Sequence, residues 1–166
     1  MRLMPIISLA IFWSFLPCAV SAQQNKGGIP STKEKKAIQQ LVENFGKAVK
    51  NRDANAFVKI VDIPYCDNLR KVIKTKDEFR KKFTKRFQEE VFRADQAKYF
   101  KVIKIASYKT INPKLSPQQK IIAQQVLMNN DWFVWVECPT GENIEDTWFV
   151  LMVGQRKGKL KIVGAD

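Results

Sequence analysis

The sequence predicts an α+β domain in which N-terminal helices pack on a curved, mainly antiparallel sheet. Three amphipathic helical patterns fill the first half of the chain, and runs of β-branched and aromatic residues fill the second half. Helices followed by strands are typical of α+β proteins, whereas parallel sheets alternate the two. We therefore expect three helices to lay their apolar stripes over the concave side of one sheet.

Capping residues and apolar periodicity predict the first two helices. Ser31 and Glu34 have the spacing of a capping box, so a helix should begin at Ser31 or Thr32. Its apolar stripe, at helical spacing, is Ile38, Leu41, Val42, Phe45 and Val49. Asp53 can cap a second, shorter helix, and Pro64 closes it because the residue before a proline disfavours helical geometry.

A third helix is predicted to begin at Thr75, which again stands three residues before a glutamate. Its apolar residues are each four apart: Phe79, Phe83, Phe87 and Val91. The preceding Tyr65-Cys66 can be read either as a short strand or as a loop.

Strands are predicted over residues 99–108, 131–137 and 147–153 from their β-branched and aromatic content. Lys157-Gly158 should form a tight hairpin into a last strand over 160–163. The stretch 117–128 stays open: Ser116-Pro117 favours a helix start, whereas its isoleucines and valine also suit a strand.

The N-terminus has the three parts of an export signal. Arg2 is followed by the apolar run 9–16, and Val20-Ser21-Ala22 offers small residues for cleavage before Gln23. The apolar run is shorter than the roughly 20 residues of a membrane-spanning helix. An uncleaved anchor and a lipid-modified Cys18 are the alternatives. We expect a signal peptide over 1–22, a flexible leader over 23–31, a single domain over 32–166, and a secreted or periplasmic location.

Charge and cysteine content suggest partners and a covalent link. Without Arg2, 28 of the 29 basic residues remain against 16 acidic ones, a net charge of +12. This favours an acidic polysaccharide, membrane headgroups or an acidic protein, while nucleic acid is disfavoured because no recognised binding motif is present. Pairing of two copies through the sheet is a further hypothesis.

Cys66 and Cys138 are expected to form a disulfide in an oxidising compartment, the alternative being two buried thiols.

Three segments resemble the nuclear transport factor 2-like superfamily, in particular its members similar to polyketide cyclases and dehydratases. They are the junction Asn51-Arg52-Asp53-Ala54, the helix opening Thr75–Phe79, and the closing hairpin over 148–163. The resemblance implies a cone-shaped domain with an apolar pocket between helices and sheet. Members of this superfamily bind small molecules there, carry out isomerase or dehydratase chemistry, or associate with proteins. Residues 109–130 depart from the family pattern. The related cystatin inhibitors are excluded, because 40–44 lacks the glycine of their inhibitory motif.

The chain contains no histidine, which removes the commonest general base, the usual catalytic triads and most catalytic zinc sites. We expect no cofactor and no metal. Three acids beside apolar segments are candidates for acid/base chemistry, with caps or turns as the alternative: Asp62, Asp67 and Asp131.

Two larger sets are candidate binding residues. Aromatic side chains that could line the ligand pocket, or simply fill the core, are Tyr65, Tyr99, Tyr108, Trp132, Trp135 and Trp148. Basic residues that could form an anion-binding face, or a solvated helix surface, are Arg70, Lys71, Lys74, Arg80, Lys81, Lys82, Lys85 and Arg86.

These features support three hypotheses. The first is a non-catalytic exported domain that binds a small apolar or amphipathic ligand, or a partner protein, through the pocket side of its sheet. The second is a histidine-free isomerase or dehydratase that uses a pocket Asp and Tyr. The third is adhesion to an anionic surface through residues 70–86.

Overall fold

A computed structural model of the chain describes residues 29–88, 97–139 and 148–166. The signal-peptide prediction, most of the leader and the expected helical position of Val91 lie outside these residues. None of the helices in the described ranges is both long and apolar enough to cross a membrane.

The α+β prediction is confirmed: five helices pack on a mixed six-stranded sheet within the described residues. The helices are α1 Thr32–Lys50, α2 Ala54–Ile60, α3 Lys76–Gln88, α4 Tyr108–Ile111 and α5 Pro117–Gln124. The strands are β1 Val61–Asp67, β2 Lys71–Ile73, β3 Lys101–Ser107, β4 Trp132–Glu137, β5 Trp148–Arg156 and β6 Lys159–Ala165.

The predicted caps form as hydrogen bonds at the helix starts. The Ser31 amide donates to Glu34 Oε2 at 2.8 Å, and the Ser31 hydroxyl accepts from the Glu34 amide at 3.3 Å. Asp53 Oδ1 accepts from two backbone amides at the start of α2. Ser116 and Gln119 build a second capping box, with Pro117 in the first turn. This local chemistry decides the open stretch in favour of a helix over Pro117–Gln124, and residues 125–128 lie beyond its end.

The sheet has the strand order β2-β1-β6-β5-β4-β3, and it is not closed. Neighbouring strands are antiparallel except β1 and β6, which run parallel. The second helix was expected to continue to Pro64, but it ends at Ile60, because Val61 already pairs with Ile162 of β6. The predicted hairpin between β5 and β6 turns at Lys157-Gly158, where both residues have positive φ.

Helices cover both faces of the sheet, whereas the sequence predicted one covered face. Side chains alternate along each strand, so neighbouring residues enter different cores. A first core holds Val134 and Leu151 beneath α1, α2 and α3. A second core holds Phe133 and Met152 beneath α4 and α5. These two short helices lie between β3 and β4, and apart from Tyr108 they fall within 109–130, the segment that lies outside the resemblance.

The disulfide expected between Cys66 and Cys138 is not formed, and both residues are buried free thiols. Cys66 belongs to the second core and Cys138 to the first, so the sheet separates them. Burial raises the pKa of each thiol from 9.0 to about 11, because a thiolate would lose its hydration. Both cysteines therefore act as small apolar core residues.

Candidate functional site

Aromatic side chains fill the space between the helices and the sheet, where the sequence placed a ligand pocket. Phe57 of α2 lies at the centre, with ring centroids 5.3 Å from Phe45 and 4.7 Å from Phe83. Phe79 and Phe83 of α3 lie 4.3 Å apart, and Phe79 contacts Tyr65 of β1 at 4.9 Å. All five side chains are buried. The described part of the predicted α3 stripe, Phe79, Phe83 and Phe87, thus faces the core and occupies the volume that a ligand would need.

The six aromatic residues predicted to line one pocket are divided among three places. Tyr65 and Trp132 are buried in the first core, and Tyr108 is buried in the second core. Trp135 is half-buried beside the second core, while Tyr99 and Trp148 are exposed. The alternation of β4 explains the separation of its two tryptophans, which stand three residues apart on opposite faces.

Two buried tyrosine hydroxyls have no hydrogen-bond partner among the described residues: those of Tyr65 and Tyr108. Burial raises the pKa of Tyr65, and the nearby negative charge of Asp67 raises it further. The pKa of Tyr108 is raised mainly by burial. Both phenols therefore stay protonated at neutral pH, and neither is a general base there.

The three candidate acids occupy separate places. Asp131 is buried at the start of β4, where Arg156 Nη1 and Nη2 donate to its carboxylate at 2.9 and 2.6 Å. The Met128 amide donates to Asp131 Oδ2 at 2.9 Å. Asp67, at the end of β1, forms an ion pair with Lys82 and lies 3.6 Å from Arg86 Nη2. Asp62 is half-buried on β1. The cations that engage Asp131 and Asp67 give both carboxylates a structural role.

Acidic neighbours neutralise part of the predicted anion-binding face. Lys71 Nζ lies 2.8 Å from Glu78, and Arg80 Nη1 lies 3.0 Å from Asp77. The Glu78 carboxylate raises the pKa of Lys71, and Lys71 in turn lowers the pKa of Glu78. Lys82 and Arg86 both face Asp67. The remaining candidates are exposed: Arg70, Lys74, Lys81 and Lys85.

A group of aromatic and charged side chains lies on the second face of the sheet, toward the end that carries Glu137. We call it the aromatic surface, and it consists of Tyr99, Lys101, Lys104, Trp135, Glu137 and Trp148. Strand register brings these residues together, because Glu137 is the pairing partner of both Lys101 and Trp148. Lys104 pairs with Trp135 on the same two strands as Lys101 and Glu137.

Specific contacts orient the side chains of the aromatic surface. The Tyr99 hydroxyl donates to Glu137 Oε2 at 3.3 Å, and Lys104 Nζ lies 4.8 Å from the centre of the Trp135 ring. Trp148 is 55% exposed and Tyr99 is 46% exposed. The pKa of Tyr99 is raised by desolvation and by Glu137.

Sequence reasoning named the aromatic members of this surface but missed Lys101, Lys104 and Glu137. No local motif marks these three residues. Period-two alternation along β4 could have placed Trp135 and Glu137 on one face, but only the pairing of β3 with β4 brings the lysines beside them.

Comparison with models of known protein families gives no match, and no curated protein is significantly similar to the chain. The fold and the site therefore define the chain only as an α+β domain with helices on both faces of a mixed sheet. Among the described residues, no group of three or more Cys, Asp or Glu is arranged to hold a metal ion.

Proposed function

We propose that the chain is an exported, non-catalytic domain of the nuclear transport factor 2-like superfamily that binds an acidic polypeptide through its aromatic surface. The observation that carries the proposal is the distribution of aromatic side chains. The space between helices and sheet is packed with phenylalanine rings, while Trp148 and Tyr99 are exposed outside it. The filled interior disfavours a small ligand between the helices and the sheet, and the exposed rings favour binding of a partner protein at the surface.

The positions of the helix ends support membership of this superfamily, because they fall at the segments in which the sequence resembles it. Helix α1 ends at Lys50, directly before the 51–54 junction, and Asp53 caps α2 within it. The Thr75 hydroxyl accepts from the Glu78 amide at the start of α3. Register shifts in the β3–β4 and β5–β6 pairs would strengthen twist, which supports the proposed cone shape.

Side-chain chemistry supports a polypeptide partner. Exposed tryptophan and tyrosine are the residues that most often dominate binding energy at protein interfaces, because each buries a large rigid ring. Lys101 and Lys104 add positive charge beside these rings, and the whole chain carries a net charge of +13. Such a field speeds encounter with a negatively charged partner.

The non-catalytic assignment is supported by the state of the candidate acids. An Asp–Tyr acid/base pair needs both groups within hydrogen-bond reach of one substrate. Asp67 is engaged by Lys82 and Arg86, and the buried hydroxyl of Tyr65 makes no hydrogen bond to it. The hypothesis of anionic-surface adhesion through residues 70–86 is likewise weakened, because three carboxylates offset much of the charge of four of its cations. Glu78 pairs with Lys71, Asp77 pairs with Arg80, and Asp67 is shared by Lys82 and Arg86.

Binding to a random copolymer of glutamate and tyrosine tests the proposal, with pure polyglutamate and polylysine as comparison polymers. We expect the mixed copolymer to bind most tightly, to shift tryptophan fluorescence, and to dissociate more readily as salt increases. Trp148→Ala should weaken binding at least tenfold because it removes the largest exposed ring. Ile121→Ala is the matched control, since Ile121 is an exposed apolar residue on α5, outside the aromatic surface.

Three results would contradict the proposal. Equal affinities for wild type and Trp148→Ala would show that the aromatic surface does not bind the polymer. A wild-type dimer in sedimentation velocity that Trp148→Ala converts to monomer would identify a second copy as the occupant. Binding of heparin that depends on Trp148, without binding of the copolymer, would identify an acidic polysaccharide.

A further inference from the structure

A groove lies between the N-terminal part of α1 and the strand β3, at one edge of the sheet. We call it the edge groove. Its volume is about 470 Å³, within the range of small-molecule sites. Its eight lining residues are Ile29, Pro30, Lys35, Gln39, Val102, Ile103, Lys104 and Ile105.

The edge groove combines exposed apolar side chains with positive charge. Ile29 is 87% exposed and Ile103 is 52% exposed, whereas Val102 and Ile105 are half-buried below them. Two lysines and no acidic residue are among the eight lining residues. The Lys104 ammonium lies over Trp135, so Lys104 contributes mainly its hydrocarbon stem to the groove, and the exposed Lys35 supplies the charge.

An edge strand can also bind an extended peptide through its free backbone groups. In this chain the side chain of Gln39 already binds the backbone at this end of the edge strand. Its side-chain amide donates to the Phe100 carbonyl at 3.3 Å and accepts from the Val102 amide at 3.1 Å. The groove therefore presents apolar side chains and a cation rather than unpaired backbone at this end of β3.

From this arrangement we infer that the edge groove binds a monomeric, single-chain anionic amphiphile, with its carboxylate or phosphate head at Lys35 and its hydrocarbon chain along Ile29, Ile103 and Ile105. Burial of the chain removes exposed apolar surface from water, and the head pairs with a cation. The inference is independent of the proposed function, because the aromatic surface lies on the other face of the sheet and shares only Lys104 with the groove.

Calorimetric titration below the critical micelle concentration tests the inference with dodecanoate, dodecyl phosphate, dodecanol and dodecyltrimethylammonium. We expect one equivalent of dodecanoate or dodecyl phosphate to bind, and the neutral and cationic compounds to bind at least fivefold more weakly. Ile103→Ser should weaken dodecanoate binding at least tenfold, and Lys35→Gln several-fold, most clearly at low salt. Matched controls are Ile121→Ser on α5 and Lys36→Gln, one residue along α1 from Lys35, neither of which lines the groove.

Several outcomes would overturn the inference. They are equal binding of dodecanol and dodecanoate, binding of many equivalents, or unchanged affinity in Ile103→Ser with its melting temperature preserved. Association with anionic vesicles, but not with the monomeric amphiphile, would also overturn it. Binding of the copolymer without binding of the amphiphile would contradict this inference while still supporting the proposed function.

Discussion

Asp131 is fully buried, although acidic side chains in proteins are mostly exposed. Its carboxylate is buried, paired with Arg156 through two hydrogen bonds, and bonded to the Met128 amide. Arg156 Nη2 also donates to the Val126 carbonyl, so the pair joins β5 to the segment after α5. Gly154 leaves room for this pair, because an added Cβ would displace the side-chain ends of Asp131 and Arg156. This network fixes α5 against the second face of the sheet.

Asp131→Ala should lower the free energy of unfolding by about 3 kcal/mol, because it leaves the largely buried Arg156 without its partner. Urea denaturation followed by circular dichroism measures the change. Asp77→Ala is the matched control, since Asp77 pairs with Arg80 on an exposed surface and should contribute less than about 1 kcal/mol. Equal effects of the two substitutions would contradict a structural role for the buried pair.

Thiol reactivity distinguishes two buried free thiols from a disulfide between the same cysteines. Since burial raises both pKa values from 9.0 to about 11, the thiolate fraction at pH 8 falls roughly 100-fold below that of the unfolded chain. We expect slow alkylation of Cys66 and Cys138 in the native protein and rapid alkylation of both in urea. Failure of the two to react in urea without reductant would indicate a disulfide.

The same pKa shifts give a pH dependence of stability. A folded-state pKa above the unfolded value means that the native thiols retain protons that the unfolded chain releases. Their contribution is therefore complete below pH 9 and is lost as the pH rises through about 11. Replacement of Cys66 and Cys138 by alanine should flatten the fall in melting temperature between pH 9 and 11, and an unchanged fall would exclude the thiols as its source.

At the scale of elements, the strand β3 shows how an exposed sheet edge is covered. The Gln39 amide pairs with two backbone groups of the Phe100–Val102 segment and so takes the place of a neighbouring strand. A bulge between Val102 and Lys104 interrupts the edge further. Such devices limit edge-to-edge aggregation.

Gln39→Ala should cost about 1 to 2 kcal/mol of unfolding free energy, because it removes both hydrogen bonds to the edge. Hydrogen exchange at the Val102 amide should also accelerate. Gln40→Ala is the control on the same helix, since within the described residues the exposed side-chain amide of Gln40 donates one hydrogen bond, to Asn44 at 3.4 Å, and does not reach β3. Comparable losses in the two variants would show that Gln39 acts through helix propensity alone.

Local signals predicted most of the elements. Side-chain caps at Ser31, Asp53 and Thr75 marked helix starts, and composition marked β3 to β6. The sequence does not predict β1 as one strand, because its first residues continue the helical pattern of α2 and Tyr65-Cys66 suits either a strand or a loop. The pairing of Val61 with the distant Ile162 of β6 decides the outcome. In the β1–β2 turn both Asn68 and Leu69 adopt positive φ; asparagine is a usual turn residue, but leucine is not, and the pair gives no clear turn signal.

The candidate site was less predictable than the fold. Choosing aromatic residues by type could not distinguish the buried Trp132 from the exposed Trp148, because that difference depends on which face of the sheet each side chain takes and on how far the helices extend over that face. Pairing of Glu137 with both Lys101 and Trp148 likewise depends on long-range strand contacts.

At the scale of the whole molecule, positive charge and the N-terminal segment bear on where the protein acts. We expect an exported form that begins at Gln23 and carries a net charge of +12, since the 22 removed residues include one base and no acid. Intact-mass analysis of protein recovered from the medium or periplasm measures the new N-terminus. Arg substitutions within the apolar run 9–16 should abolish export, and unchanged recovery of these variants outside the cell would exclude the signal-peptide prediction.

The central position of β6 has a consequence for biosynthesis. Residues 159–165 lie between β1 and β5, and they provide the link between the β2–β1 ribbon and the remaining strands in the sheet order. A nascent chain that lacks residues 159–165 can form only two separate groups of paired strands, β1 with β2 and β3 with β4 and β5. It therefore has no continuous sheet beneath α1 to α3. Completion of the sheet must therefore await β6, since the paired strands β1 and β2 cannot join the other strands before residues 159–165 have been synthesised.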